Sequence, residues 1–599
     1  MMTLPLRQDL NVEETWDLSL LFGNQEAYEA ELEQIKQDIE DFVKRFHNKL
    51  QDTETIVEAI ISFNELQARL SPVYTYGRLG YTVDRNNEVY EMNVSRIDLF
   101  SEWVGKNLAF FEPQLASLTD EQFLEVKNHP EMEEYQAYFK DLERRRPTFF
   151  DADKEAMLSA LNGTIFGQED LYASLKFQDL TFDDFTAGGK SYGNSFAGFE
   201  QDYEVHPSYE VRHQAWKSFH NGLAKYQHTA ATNYIQLVKT EKKMAGLRGF
   251  DSVIDYLLFD QNVDQANYHQ IIDTLMSEMA PVMQRYAKLM QAEHGWDKIS
   301  LADIKASFSV EPAATISIQD SRQIVEEALS VLGEEYSAMV KRAFDQRWID
   351  YPMNQTKSTG GFCSSPYRQP SFILLNWTGL LSEVLVLAHE LGHAGHFYFA
   401  ANHNPILTTD PSLYFVEAPS TCNEVITCQY LLSQPLEDKA KRSLIAEFIS
   451  RTYFHNMVTH LLEADFQRKV YQAVDRDEIL NARVLNTYFK ESLQAFWGNA
   501  LEINPGAELT WMRQPHYFGG LYSYTYSAGL TIGTQMGKRI VSGDPQAVND
   551  WLKVLSAGGS QGPIELAQMA GVDMSNPQAI RQAIAYVDEL LDRIEELAK

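Results

Sequence analysis

The stretch Val384–Ala400, VLVLAHELGHAGHFYFA, limits what this chain can become more than any other. It carries His389-Glu390-Leu391-Gly392-His393, two histidines four positions apart with a glutamate directly after the first. On a helix each residue turns about 100°, so positions i and i+4 lie about 40° apart, one turn above the other. Both imidazoles then point to one spot, where they can share a divalent metal. Glu390 is rotated off that axis but stays close enough to act as general base on a water at the metal. Val384, Leu385, Val386 and Leu387 make the helix apolar nearly all round, so it is expected to be buried. A buried helix bearing His, Glu and His needs partners for all three groups, which a plain core helix does not provide.

Composition narrows the partners. At 599 residues the chain has room for one to three domains and a large core. Apolar content of 44% and charged content of 23% are those of a globular protein. The net charge of −33 argues against nucleic acid or an anionic membrane as partner. Cys363, Cys422 and Cys428 form neither a disulfide framework nor a CxxC pair. The opening MMTLPLRQDLNVEETWDLSLLF has no apolar signal core, and the longest aliphatic run is too short to cross a bilayer. A cytoplasmic location is expected.

Helical periodicity dominates the rest. From Gln25 to Leu50 the apolar positions are Tyr28, Leu32, Ile35, Ile39, Phe42 and Phe46, with Asn24 as N-cap. Similar patterns predict helices over Thr55–Leu70, Tyr90–Phe111 and Asp120–Asp141, together an N-terminal helical lobe over 1–198. Leu175–Phe182 partly alternates and predicts a short strand or hairpin. The AGGKSYGNSFAGFE that follows reads as a turn or linker without phosphate-loop spacing, and a boundary near Gly198 opens the catalytic region 199–599. Helices resume over Ser208–Gly246, Gln265–His294 and Asp320–Asp345. His206, His213, His220, His228 and His269 have no partner at ligand spacing and are expected at surface or boundary positions. Thr356–Trp377 holds the best strand pair, with a turn at Gly360 and Gly361 and strand composition over Ser371–Asn376. Pro577 starts a last, structural helix.

A catalytic metal takes three protein ligands and keeps one position for water. The HExxHxxGxxH completion needs glycine at 396 and histidine at 399, where this chain has His396 and Phe399. An acidic third ligand on a later helix is therefore expected. FVEAPSTCNE offers Glu417 and Glu424, seven apart and on nearly one helix face. One can bind the metal while the other supports a ligand histidine. His396, one turn past His393, reads as a packing residue or a neighbour of the ligands. Gly392 within the helix costs about 1 kcal/mol relative to Ala, which implies close approach by the second helix.

The stretches HELGHAGH and FVEAPSTCNE resemble the thimet oligopeptidase family of zinc metallopeptidases, and within it the oligoendopeptidase F branch. The resemblance extends to TWDLSLLF, KSTGGFCS, ILLNWTG and AGGSQGPIELAQMAGVDM. It implies a mainly α, two-lobed, zincin-like fold with a deep enclosed cleft and a small β-sheet beside the metal-binding helix. It implies one Zn²⁺ per chain held by His389, His393 and Glu417, with Glu390 as base and Glu424 supporting a ligand. In such an enzyme the edge strand holds substrate by backbone pairing, which places Gly360, Gly361 and Phe362 at the substrate. In QPHYFGGLYSYTYSAGL, tyrosines would ordinarily be core residues with a polar tip. The resemblance instead puts His516 and a tyrosine, Tyr526 before Tyr522, at the developing oxyanion. The activity implied is endopeptidase cleavage of short unfolded peptides. The alternatives are a carboxydipeptidase, using Arg368, Arg513 or Lys357 to hold a substrate C-terminus, and a non-catalytic peptide- or metal-binding protein.

Overall fold

The computed structural model describes residues 4–308 and 315–598. Asn24 accepts a hydrogen bond from the Ala27 N–H and opens the helix Gln25–Phe46. Its buried residues are the six that the periodicity picks out. The next helix, Thr53–Val83, does not end near Leu70 but runs through Pro72. A proline removes one ladder hydrogen bond, and burial of Val73, Leu79 and Val83 beyond it outweighs that loss. Helix Glu88–Leu108 follows. The single helix expected over Asp120–Asp141 is broken at Pro130 into Asp120–Lys127, a 3₁₀ stretch Pro130–Tyr135 and Gln136–Arg145. These helices close one hydrophobic core between Tyr28 and Leu142. A larger core gathers residues from Phe185 to Ile594. A cavity of about 740 Å³ lies between the two, lined by Phe63 and Glu102 on one side and Met244 and Arg248 on the other.

The strand expected over Leu175–Phe182 is not formed. Leu175–Asp179 is a π-helical turn, closed by the Leu180 N–H on the Leu175 carbonyl. Tertiary contacts hold it: Lys176 Nζ donates to the Arg513 carbonyl at 3.1 Å and sits over the Phe196 ring. The hairpin falls just later and turns in the glycine-rich stretch expected to be a turn or linker: β1 (Phe185–Ala187) pairs antiparallel with β2 (Lys190–Tyr192). Gly188 and Gly189, at φ +56° and +74°, form the two-residue turn such a hairpin needs.

Ser208 caps the long helix Tyr209–Leu247. His220 on it is fully buried, not at the surface, with Nδ1 on the Trp216 carbonyl. The pattern over Asp320–Asp345 is interrupted by Gly333, whose φ of +95° no helix accepts. Among the described residues no helix is long and apolar enough to cross a membrane.

Glu241 lies buried in the same long helix and accepts a hydrogen bond from the Tyr471 hydroxyl at 2.5 Å. Burial pushes its carboxyl up to about 8, against the lowering effect of Tyr471. Between the ordinary value of 4.5 and about 8 the unfolded chain releases this proton while the folded protein keeps it. Stability is therefore fullest below that window and falls as pH rises through it. Glu241→Gln removes the titration, so its melting temperature relative to wild type is expected to climb from pH 5 to pH 8. A constant difference across that range would contradict the assignment.

Three strands stand beside the central helices. β3 (Ile349–Asp350), β4 (Phe362–Ser364) and β5 (Phe372–Leu374) form a sheet in the order β3-β5-β4. β5 pairs parallel with β3 and antiparallel with β4, Cys363 opposite Ile373. The N-terminal segment braces this sheet. Trp16 packs on Phe362 and Phe372, and Arg7 forks onto the buried Asp350, which also accepts from Lys357 Nζ at 2.6 Å.

Three helices carry the site: the HELGH helix Leu381–His403, the glutamate helix Leu413–Ser433 and the tyrosine helix Ser523–Val541. The glutamate helix is pressed between the other two. A Cβ on Gly392 would stand 2.5 Å from the Ser420 Cα and 2.6 Å from the Pro419 carbonyl oxygen. A Cβ on Gly529 would stand 2.7 Å from the Glu417 Cβ. The close approach expected at Gly392 is thus present, and its obstacle is backbone that cannot rotate aside. Gly392→Ala is expected to destabilise by about 1–3 kcal/mol and to weaken metal binding by displacing Glu417. Unchanged denaturant midpoint and metal affinity would contradict this packing.

Candidate active site

Helical spacing stacks His389 above His393, and the glutamate helix brings Glu417 to them. The two Nε2 atoms are 3.2 Å apart, and Glu417 Oε2 is 3.3 and 3.4 Å from them. A tetrahedral site with bonds of about 2.0–2.1 Å has edges of about 3.3–3.4 Å. His389 Nδ1 donates to Glu424 Oε1 at 2.7 Å, so its Nε2 turns a lone pair to the shared point. Three donors converging at this spacing fit a metal ion. All three side chains are largely covered, with 20% of His389, 13% of His393 and 6% of Glu417 accessible.

Glu424 thus meets His389 on Nδ1, away from the converging atoms, while Glu417 Oε2 is one of the three that converge. The second Glu424 oxygen accepts from the Thr452 hydroxyl, in the π-helical stretch Ile449–Thr459. Glu424→Gln keeps the size but loses the charge that fixes the His389 tautomer. Metal affinity is expected to fall roughly 10–100-fold, read by competition with a chelator. Unaltered affinity would remove Glu424 from this role.

Glu390 is buried, and β4 runs past it: a Cβ on Gly361 would lie 3.3 Å from Glu390 Oε1. Burial raises its pKa above the ordinary carboxylate value, with His389 and His393 pulling the other way. Burial acts on Glu417 in the same sense, but His393 and His389 outweigh it and hold that carboxyl well below its usual range. Gly360 adopts φ +82° at the turn into β4. The Phe362 ring packs against Trp16, which leaves its backbone as the part beside Gly361.

His516 comes from a 3₁₀ turn, Pro515–Phe518, just before the tyrosine helix. Its ring centroid is 5.6 Å from that of Tyr522 and 5.5 Å from that of Tyr526. Tyr522 donates its hydroxyl to Glu417 Oε1 at 3.1 Å. Burial raises the pKa of both tyrosine hydroxyls, so they stay protonated donors. Tyr524 turns the other way and bonds Gln261 Oε1 at 2.7 Å in the core. His396 is fully buried against Phe397 and Phe415, with both ring nitrogens unpartnered. Burial pushes its pKa down to about 3, so it is neutral and serves packing.

Sequence reading passes over His455, His460 and Glu463, which stand behind His516. His460 Nδ1 and His516 Nδ1 lie 2.9 and 3.1 Å from Glu463 Oε2. The available signal was the His460-x-x-Glu463 spacing in an apolar helix. Its partner His516 is 53 residues away and could not be paired with it by spacing.

A buried carboxylate beside three converging His and Glu atoms and a strand edge is suited to driving water onto a peptide carbonyl, the work of a metallopeptidase. The chain belongs to peptidase family M3, whose model matches residues 203–586. The Oligopeptidase F model matches residues 114–182. The oligopeptidase PepF of Bacillus subtilis is 25% identical over 99% of this chain and 88% of its own length. The group B oligopeptidase PepB of Streptococcus agalactiae is 26% identical over 97% of this chain and 96% of its own. The crystal structure of oligoendopeptidase-F from Enterococcus faecium shares the fold, with TM-score 0.75 and 22% identity over 95% of this chain and 98% of that one.

Proposed function

We propose that this enzyme is a zinc-dependent oligoendopeptidase that cleaves internal bonds of short unfolded peptides. The observation that carries this reading is the triangle of His389, His393 and Glu417 donor atoms at 3.2–3.4 Å, with Glu390 beside β4. Two imidazoles and one carboxylate are a donor set suited to zinc. Zinc held by His389, His393 and Glu417 would supply Lewis acidity toward a water and a carbonyl oxygen. Peptide pairs in extended form with β4 near Gly360, Gly361 and Phe362, which aligns one carbonyl with the site. Glu390 accepts the proton of the attacking water and returns it to the leaving amine. His516 and the Tyr526 or Tyr522 hydroxyl donate to the oxygen that becomes negative in the transition state. The low exposure of His389, His393 and Glu417, at 20%, 13% and 6%, supports short unfolded peptides as substrates. The same reading keeps the division of the chain near residue 198.

The carboxydipeptidase alternative needs a free cation, and two of the three candidates, Lys357 and Arg513, are ion-paired. Lys357 is buried on Asp350, and Arg513 is buried between Glu200 and Glu204. Arg368 donates its Nε to the Ala401 carbonyl. An internally quenched peptide with both ends blocked is therefore expected to be cleaved. Turnover only after the C-terminus is freed would overturn the endopeptidase reading.

A further inference from the structure

We infer that Glu463 is a positioning residue that sets the orientation of His516, and through His460 seats Tyr526. This rests on the reading that His516 stabilises the oxyanion. Three donors meet on one carboxylate oxygen: His460 Nδ1 at 2.9 Å, His516 Nδ1 at 3.1 Å and the Ser523 hydroxyl at 3.0 Å, all on Glu463 Oε2. A carboxylate only accepts, so both imidazoles must carry their proton on Nδ1. That assignment turns His516 Nε2 away from Glu463. His516 can then donate from Nε2 only when both ring nitrogens carry protons, with Glu463 accepting the one on Nδ1.

The same carboxylate orders a second ring. His460, with Nδ1–H on Glu463, has Nε2 left as acceptor for His455 Nε2, 3.1 Å away. The His460 ring stacks on Tyr526 with centroids 4.0 Å apart and planes 16° apart. One buried carboxylate thus reaches both groups assigned to the oxyanion.

Its cost argues that it is not mere filler. Glu463 is 2% exposed, and its other oxygen, Oε1, is buried without a partner. An apolar side chain would fill the space without burying a charge or leaving an orphaned acceptor. Burial alone would raise its carboxyl pKa, yet the flanking histidines, His460 first, hold it well below the usual range.

His460, Glu463 and His516 also have the composition of a metal site. The distances separate the two readings. The atoms of the first site stand 3.2–3.4 Å apart, as donors around an ion do. Here the contacts are 2.9–3.1 Å and all converge on one oxygen, as hydrogen bonds do.

The test is a double-mutant cycle on the zinc-loaded enzyme, with kcat, KM and zinc content measured for each variant. Glu463→Gln is expected to lower kcat roughly 10–100-fold, with KM within about twofold and one zinc per chain retained. Glu463→Asp is expected to recover part of the loss. In a His516→Ala background, Glu463→Gln is expected to cost little more, because its effect runs through the missing ring. Equal losses in both backgrounds would overturn the proposal, as would a wild-type enzyme holding two zinc ions and losing one in Glu463→Gln. Full activity of His516→Ala alone would instead overturn the role of His516, a result distinguishable from either.

Discussion

Glu390→Gln is expected to keep its zinc and lose hydrolysis, with kcat and kcat/KM falling together by roughly 10²–10⁴-fold. Glutamine matches glutamate in shape but cannot accept the proton of an attacking water. His389, His393 and Glu417 are untouched, so the metal and the binding of peptide to β4 should survive. Equal losses in kcat and kcat/KM mark an interaction made in the transition state only. A variant that kept full activity would show that proton transfer runs through another group. One that lost its zinc would show that Glu390 acts on the metal.

Glu417→Ala is expected to abolish activity by the opposite route, with zinc lost on dialysis and the fold retained. Two imidazoles remain, which is one ligand short of the three a catalytic zinc site takes from protein. Tyr522 also loses its acceptor on Glu417 Oε1. Circular dichroism and metal analysis separate this variant from Glu390→Gln: both should be inactive and folded, and only Glu417→Ala should be zinc-free. Stoichiometric zinc in Glu417→Ala would move the third ligand elsewhere.

Much of the site was legible because its parts are local. His389, Glu390 and His393 sit within one helical turn, and the seven-residue spacing of Glu417 and Glu424 puts both on one face of the next helix. Gly392 announced the close packing of those helices, since a mid-helix glycine is costly unless something presses on it. The choice between Glu417 and Glu424 is different in kind. Spacing made them equivalent, and only the family resemblance and the geometry, with Glu424 on Nδ1 and Glu417 at Nε2, tell them apart.

What escaped depends on tertiary context. Alternation over Leu175–Phe182 suggested a strand, but Lys176 is drawn to the Arg513 carbonyl and the segment coils. Thr53–Val83 continues through Pro72 because the residues beyond it are buried. The π-helical stretch Ile449–Thr459, which delivers Thr452 and His455, leaves no periodic mark in the sequence. The identities of the tyrosines turn on whether their segment is helix or strand. As a helix it turns Tyr522 and Tyr526 toward His516 and Tyr524 into the core.

Anomalous diffraction at the zinc edge, on crystals of the zinc-loaded enzyme, tests the central claim most directly. The account predicts one strong peak about 2.0–2.2 Å from His389 Nε2, His393 Nε2 and Glu417 Oε2. A peak among His460, Glu463 and His516, or none at the HELGH helix, would contradict it.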